Sequence, residues 1–171
     1  MNNLDKAPTD GGAPEVIARV GFDDIEAVLE RTGVYASVTE GVSMRPLFKT
    51  HRDVVVLEAP TERLKKYDVA LYRIGQKYVL HRVVGIDSGA QVYLIRGDNT
   101  FRIERIPFAE VIARLVSFNR DGVHYSVTDK GYLRYARFWN FIYPIRFLLH
   151  KSRILLGRIK RAVFHKKRKK D

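Results

Sequence analysis

Seven short β-rich runs follow one another with no long helical pattern between them, and this succession most restricts what the chain can fold into. They read YASVTE, DVVVLEA, DVALYRI, KYVLHRVVGI, AQVYLIRG, VIARLVSF and VHYSV. Most are bounded by Gly, Asp, Pro or charged clusters, the residues that end strands. A parallel βαβ sheet needs a crossover helix between consecutive strands, and none is available here. The pattern therefore predicts a mainly β fold with an antiparallel, partly closed β body. One short helix precedes it. In FDDIEAVLERTG, residues 22–33, Ile25, Val28 and Leu29 recur at helical spacing behind two aspartates, and Gly33 suits the C-terminal cap.

From Asp129 the pattern changes. DKGYLRYARFWNFIYPIRFLLHKSRILLGRIKRAVFHKKRKKD reads as two helical segments that meet near Pro144, where the ring interrupts the backbone ladder. Ile145, Leu148, Leu149, Leu156, Ile159 and Val163 fall near one side of the second segment. Arg146, Arg153, Lys160 and Arg161 lie largely opposite. Charge divides at the same place. Residues 1–128 carry 17 basic and 17 acidic side chains, so the net charge of +12 belongs to residues 129–171, with 14 Lys and Arg against Asp129 and Asp171. The chain thus divides into a polar leader (1–21), a neutral body (22–128) and a basic amphipathic helical tail (129–171).

Length and composition narrow the class further. At 171 residues and 46% hydrophobic content the chain is long enough to bury one real core. There is no cysteine, which excludes a disulfide framework and Cys-ligated zinc. MNNLDKAPTDGGAPEV lacks the apolar segment of a secretory signal, and no apolar stretch approaches the roughly 20 residues of a spanning helix. These features suit a cytoplasmic protein, with peripheral attachment at the inner face of a membrane as the role of the tail.

The stretch EGVSMRPLF, residues 40–48, sets Ser43 two places after Gly41 and three before Pro46. A serine hydroxyl attacks a carbonyl only when a base takes its proton, so a catalytic Ser43 requires such a base. Of the five histidines, His150 and His165 sit in the tail, His124 in a late strand and His51 in a polar turn. His81 alone interrupts an apolar run, where a buried ring needs a hydrogen-bond partner whether or not it is catalytic. Lys77, four residues earlier, is an alternative base but is out of register. Arg82 reads as an internal ion-pair residue, and Arg45 and Pro46 as residues that fix the serine loop.

GVSMRP, DVVVLEA, YDVALYR, VLHRVVGI and IRGDN, in this order, resemble the catalytic domain of the type I signal peptidase superfamily, whose fold is shared with LexA-like self-cleaving repressors. The resemblance covers about Glu40 to Val116 and is specific through the combination of motifs, not through any one of them. It implies a signal-peptidase/LexA-like β body in which Ser43 is the nucleophile and Met44 helps shape the site. Where the bacterial enzymes and LexA-like proteins carry a lysine base, this chain has His81, similar to the Ser/His branch of the superfamily. Asp98 of RGDN, or Glu104, matches the positions of that branch's candidate acid. Asp98 is preferred because its motif is tighter. The Ser43 N–H is the natural oxyanion donor, with Gly41 and Val42 completing the surrounding loop. Gly41 offers no hydroxyl, unlike the serine of some relatives, so a backbone or water donor would complete the hole. No cofactor or metal is required by this chemistry.

These readings combine as a serine endopeptidase that cleaves a precursor or leader peptide at a small-residue site, without the N-terminal anchor typical of signal peptidases. A non-catalytic peptide-binding module of the same fold is one alternative. A LexA-like self-cleaving regulator is another, although the residues before Ser43 offer one short helix in place of a DNA-binding domain. The tail reads either as a helix covering the β body or as a contact with anionic lipid. In the second case Phe138, Trp139, Phe141, Tyr143 and Phe147 enter the headgroup boundary while Lys151 and Arg153 meet phosphates. Nucleic acid is disfavoured, since no recognition motif accompanies the basic tail.

Overall fold

The computed structural model describes residues 25–167, with side chains to residue 158. The leader 1–21, Phe22 and its two aspartates, the side chains of Ile159, Lys160, Arg161, Val163 and His165, and the final residues 168–171 lie outside the described residues. Helix α1 (Ile25–Thr32) buries Ile25, Val28 and Leu29, the three residues the helical spacing selects. It ends where Gly33 takes a positive φ of 73° and its N–H returns to Leu29 O at 2.8 Å.

Eight strands follow: β1 (Val34–Val38), β2 (Val54–Glu58), β3 (Val69–Ile74), β4 (Lys77–Asp87), β5 (Val92–Arg96), β6 (Glu104–Pro107), β7 (Val111–Arg120) and β8 (Val123–Ser126). All pairings are antiparallel, in the order β1-β2-β7-β3-β4-β5-β6, with β8 on β7. The end strands β1 and β6 do not pair with each other, so among the described residues the sheet is not closed. The run ERIP of β6 was not among the expected strands. Its pattern is charged and ends in proline, and it is a strand because the edge of β5 supplies partners from Val92 to Ile95.

Alternation along the strands builds two cores. On β3, Val69 and Leu71 join a cluster with α1, Met44, Leu47, Phe48 and Tyr132, whereas Ala70 and Tyr72 join a second cluster with Val83, Tyr93 and Ile95. In the β3–β4 register Ala70 faces His81 and Val69 faces Arg82. Consecutive residues of β4 therefore send an imidazole and a guanidinium to opposite faces of the sheet.

The tail forms α2 (Lys130–Phe141) and α3 (Tyr143–Lys167), separated by Ile142, two residues before Pro144. The boundary at Asp129 is one of composition more than of packing, because α2 buries Tyr132 and Ala136 against the β body. The proposed lipid-contacting aromatics divide accordingly. Trp139 Nε1 donates to Asp98 O at 2.8 Å, Tyr143 OH donates to Phe101 O at 3.3 Å, and Phe147 packs on Phe101. These three dock the helices to the body, while Phe138, Phe141, Lys151 and Arg153 are exposed. Among the described residues no helix is long and apolar enough to cross a membrane.

Candidate active site

The turn that carries Ser43 is fixed from below by apolar burial and from the side by polar contacts. Met44, Leu47 and Phe48 are buried in the first core, and Phe48 packs edge-on to Phe118 with ring centroids 5.2 Å apart. Aliphatic and aromatic anchors at these positions leave Ser43 at the rim, half-buried. Asp53, which has no solvent exposure, accepts from Lys49 N at 2.8 Å and from the Arg52 guanidinium, and so closes the far end of the loop. Burial opposes ionisation of Asp53, but the Arg52 and Lys49 donors outweigh it and hold its carboxyl below the usual range. Gly41, at a φ of 80°, makes the turn into the motif, and its carbonyl accepts from the Thr50 hydroxyl.

A second loop clamps the first. Asn99 N donates to Ser43 O at 2.7 Å and Asn99 Nδ2 to Val42 O at 3.2 Å. The carbonyls of both residues are thereby engaged, while the Ser43 N–H has no partner among the described residues. Gly97, two residues earlier, lies against the imidazole. A Cβ there would stand 2.7 Å from Ser43 O and 2.9 Å from His81 Nε2. The serine backbone and the Nε2 edge of His81 thus share one side-chain-free point, which requires glycine. No hydrogen bond links the Ser43 hydroxyl to His81.

The other edge of the ring meets a network that the motifs did not reveal. His81 Nδ1 lies 3.0 Å from Tyr72 OH and 3.3 Å from Glu104 Oε2, and Tyr72 OH donates to the same carboxylate oxygen. Sheet register explains the convergence. Ile95 pairs with Glu104 and Val83 with Ile95, so Glu104 shares a face with Val83 and, two residues along β4, with His81. Tyr72 is two residues from Ala70, which pairs with His81, and therefore points the same way. Two acceptors at Nδ1 favour the tautomer with the proton on Nδ1 and the lone pair on Nε2. Burial lowers the pKa of His81 below its usual value, and Glu104 opposes that only partly. The ring is accordingly neutral at pH 7 and able to accept a proton. Tyr72, without solvent exposure, has its phenol pushed well up by burial and by its bond to Glu104, so it acts as a donor.

Asp98, the preferred acid in the sequence, does not reach His81. Arg82 engages it in a fork, Nε to Oδ1 and Nη2 to Oδ2, both at 2.8 Å, and Tyr135 OH adds a third donor at 3.0 Å. The side chains of this pair are 0% and 2% exposed. Because Arg82 and His81 are consecutive in a strand, the partner of one lies across the sheet from the partner of the other, and Glu104 takes the position assigned to Asp98. The internal ion pair read for Arg82 is this one. Lys77 opens β4 as an exposed residue, about 13 Å of strand rise from His81.

A cleft of about 330 Å³ opens beside these groups, lined by Ser43, His81, Gly41 and Met44, by Tyr35 to Glu40 of the β1 edge except Ala36, and by apolar side chains including Val55, Leu57 and Leu71. Val42 is exposed at its rim. Among the described residues no group of three or more metal-ligating side chains converges. The sequence could have disclosed Tyr72 and Gly97 only through register: Tyr72 by its even spacing from Ala70 in DVALYRI, Gly97 by its proximity to a ring sixteen residues away. No protein-family model matches this chain, and no curated protein matches it.

Proposed function

We propose that the chain is a serine endopeptidase in which Ser43 is the nucleophile, His81 the general base and Glu104, with Tyr72, the group that orients the imidazole. The observation that carries this reading is the two-sided environment of His81. Its Nδ1 is held by Tyr72 and Glu104, and its Nε2 faces the serine loop at the edge of a cleft.

In this mechanism the Ser43 Oγ attacks the scissile carbonyl carbon as its proton passes to His81 Nε2. The oxyanion that forms is stabilised by the Ser43 N–H, which has no partner among the described residues. Collapse of the tetrahedral adduct breaks the C–N bond, and the imidazolium returns the proton to the departing amine. Water then adds to the acyl-serine ester with the same base, which releases the acid and restores the hydroxyl. Substrate enters extended, because among the described residues β1 ends the sheet and no strand pairs with its outer edge along the cleft. A precursor or leader peptide with small residues at the cleaved bond is the substrate class in keeping with the motifs.

The absence of a Ser43–His81 hydrogen bond favours a second reading, a peptide-binding module of the same architecture that does not cut. The two are separated by incubating wild type, Ser43→Ala and His81→Ala with a fluorophosphonate and a peptide acyl donor and reading intact mass. An adduct on Ser43 that depends on His81 is the expected result. Correctly folded wild type that forms no adduct, yet binds peptide as well as Ser43→Ala does, would establish the second reading.

A further inference from the structure

Helix α3 docks on the body through Tyr143, Arg146, Phe147 and His150 and turns an aliphatic stripe to solvent, where an ordinary surface helix would place polar side chains. Toward the body, Arg146 donates to Asp98 O at 2.9 Å and lies 3.9 Å over Trp139, while His150 stacks on Phe101 at 4.2 Å. Outward, Ile145, Leu148, Leu149, Leu155 and Leu156 are each more than half exposed. At 100° per residue these five cover an arc of about 120°, interrupted only by Ser152. Lys151 and Arg158 border the arc on one side and Arg153 on the other, all exposed. On α2, Phe138 and Phe141 add further exposed apolar surface, 58% and 80% exposed.

Charge identifies the occupant. Residues 130–170 contain no Asp or Glu, and the sequence beyond Arg158 reads IKRAVFHKKRKKD. A second copy of this helix would bring like charges together along both margins of the apolar stripe. A nucleic acid would leave the leucines facing polar backbone. An anionic lipid surface satisfies both parts, with apolar side chains at the acyl boundary and lysine and arginine heads at the phosphates. We propose that α3, with the exposed phenylalanines of α2, is a membrane-surface anchor for anionic lipid, lying in the interface and not crossing it.

The anchor is continuous with the active-site loops. Trp139 and Arg146 both cap the carbonyl of Asp98, and the next residue, Asn99, holds the carbonyls of Val42 and Ser43. Lipid-bound helices would therefore hold the cleft in a defined orientation to the surface. The anchor is independent of whether Ser43 cuts peptides, and its test does not use activity.

Flotation of the full chain is measured with vesicles of phosphatidylcholine alone and with about one-third phosphatidylglycerol, at low and at raised salt. Binding is expected to the anionic vesicles, to weaken with salt, and to fall more than about tenfold in Leu148→Glu/Leu155→Glu and in Lys151→Glu/Arg158→Glu. All four positions are exposed, so both variants are expected to melt as wild type does. Equal flotation with neutral vesicles, or flotation unaffected by the leucine pair, would overturn the proposal. So would a wild-type dimer that the leucine pair renders monomeric without any flotation, which would make the face a self-interface.

Discussion

Asp98→Asn and Glu104→Gln are chemically the same change, a carboxylate to its amide, and are expected to have opposite consequences. Asp98 neutralises an Arg82 side chain that has no solvent exposure, through two hydrogen bonds of 2.8 Å. The amide leaves that guanidinium charged and buried, with one acceptor replaced by a donor. Removing one partner of such a pair costs about 3–5 kcal/mol. For a domain of this size each kcal/mol lowers Tm by about 2–4 °C, so a fall of roughly 6–20 °C is expected. Glu104 lies at a strand end with its side chain 20% exposed, and its amide removes an acceptor from His81 Nδ1 while filling the same space. Tm should change little there, whereas Ser43 acylation should fall by up to the order of 10⁴-fold, the scale of losing the tautomer-fixing acid in a serine triad. Thermal denaturation and the rate of fluorophosphonate labelling read the two effects separately. An Asp98→Asn protein that melts like wild type but labels as slowly as Glu104→Gln would refute the assignment and return the acid role to Asp98.

Three further outcomes follow from the site. Gly97→Ala adds a methyl 2.7 Å from Ser43 O and 2.9 Å from His81 Nε2, so labelling should drop at least about 100-fold through misplacement of the pair; unchanged labelling would show that these groups do not act together. Tyr72→Phe frees Glu104 from a competing donor, so the carboxylate should draw more strongly on Nδ1–H and move the acid limb of the labelling pH profile upward; a lower rate with an unmoved limb would mark Tyr72 as merely structural. The pKa of His81 is lowered by burial, so the unfolded chain takes up this proton first as pH falls below about 6.5. Its contribution to stability should be present above that pH and diminish below it, and His81→Gln should flatten the corresponding part of a Tm-versus-pH curve.

What the sequence determined by itself is what depends on neighbours along the chain. Period-two runs with turn residues between them specify strands whatever they later touch, and seven of the eight were legible together with the antiparallel class. Ile25, Val28 and Leu29 and the glycine cap defined α1, and Pro144 marked the break between α2 and α3. The serine turn and the isolated His81 were visible because their residue types are unusual at those places. What only the tertiary structure decided is what depends on register between strands. ERIP is a strand because β5 gives it partners, and it brings Glu104 to His81 across two intervening pairings. Asp98 stands closer to the motif in sequence, but alternation commits it to Arg82 on the opposite face. The tail aromatics share one composition, yet docking buries Trp139 and Tyr143 partly and leaves Phe138 and Phe141 exposed. Local pattern fixes which way a side chain points from its own backbone, whereas pairing between distant segments decides what it meets there.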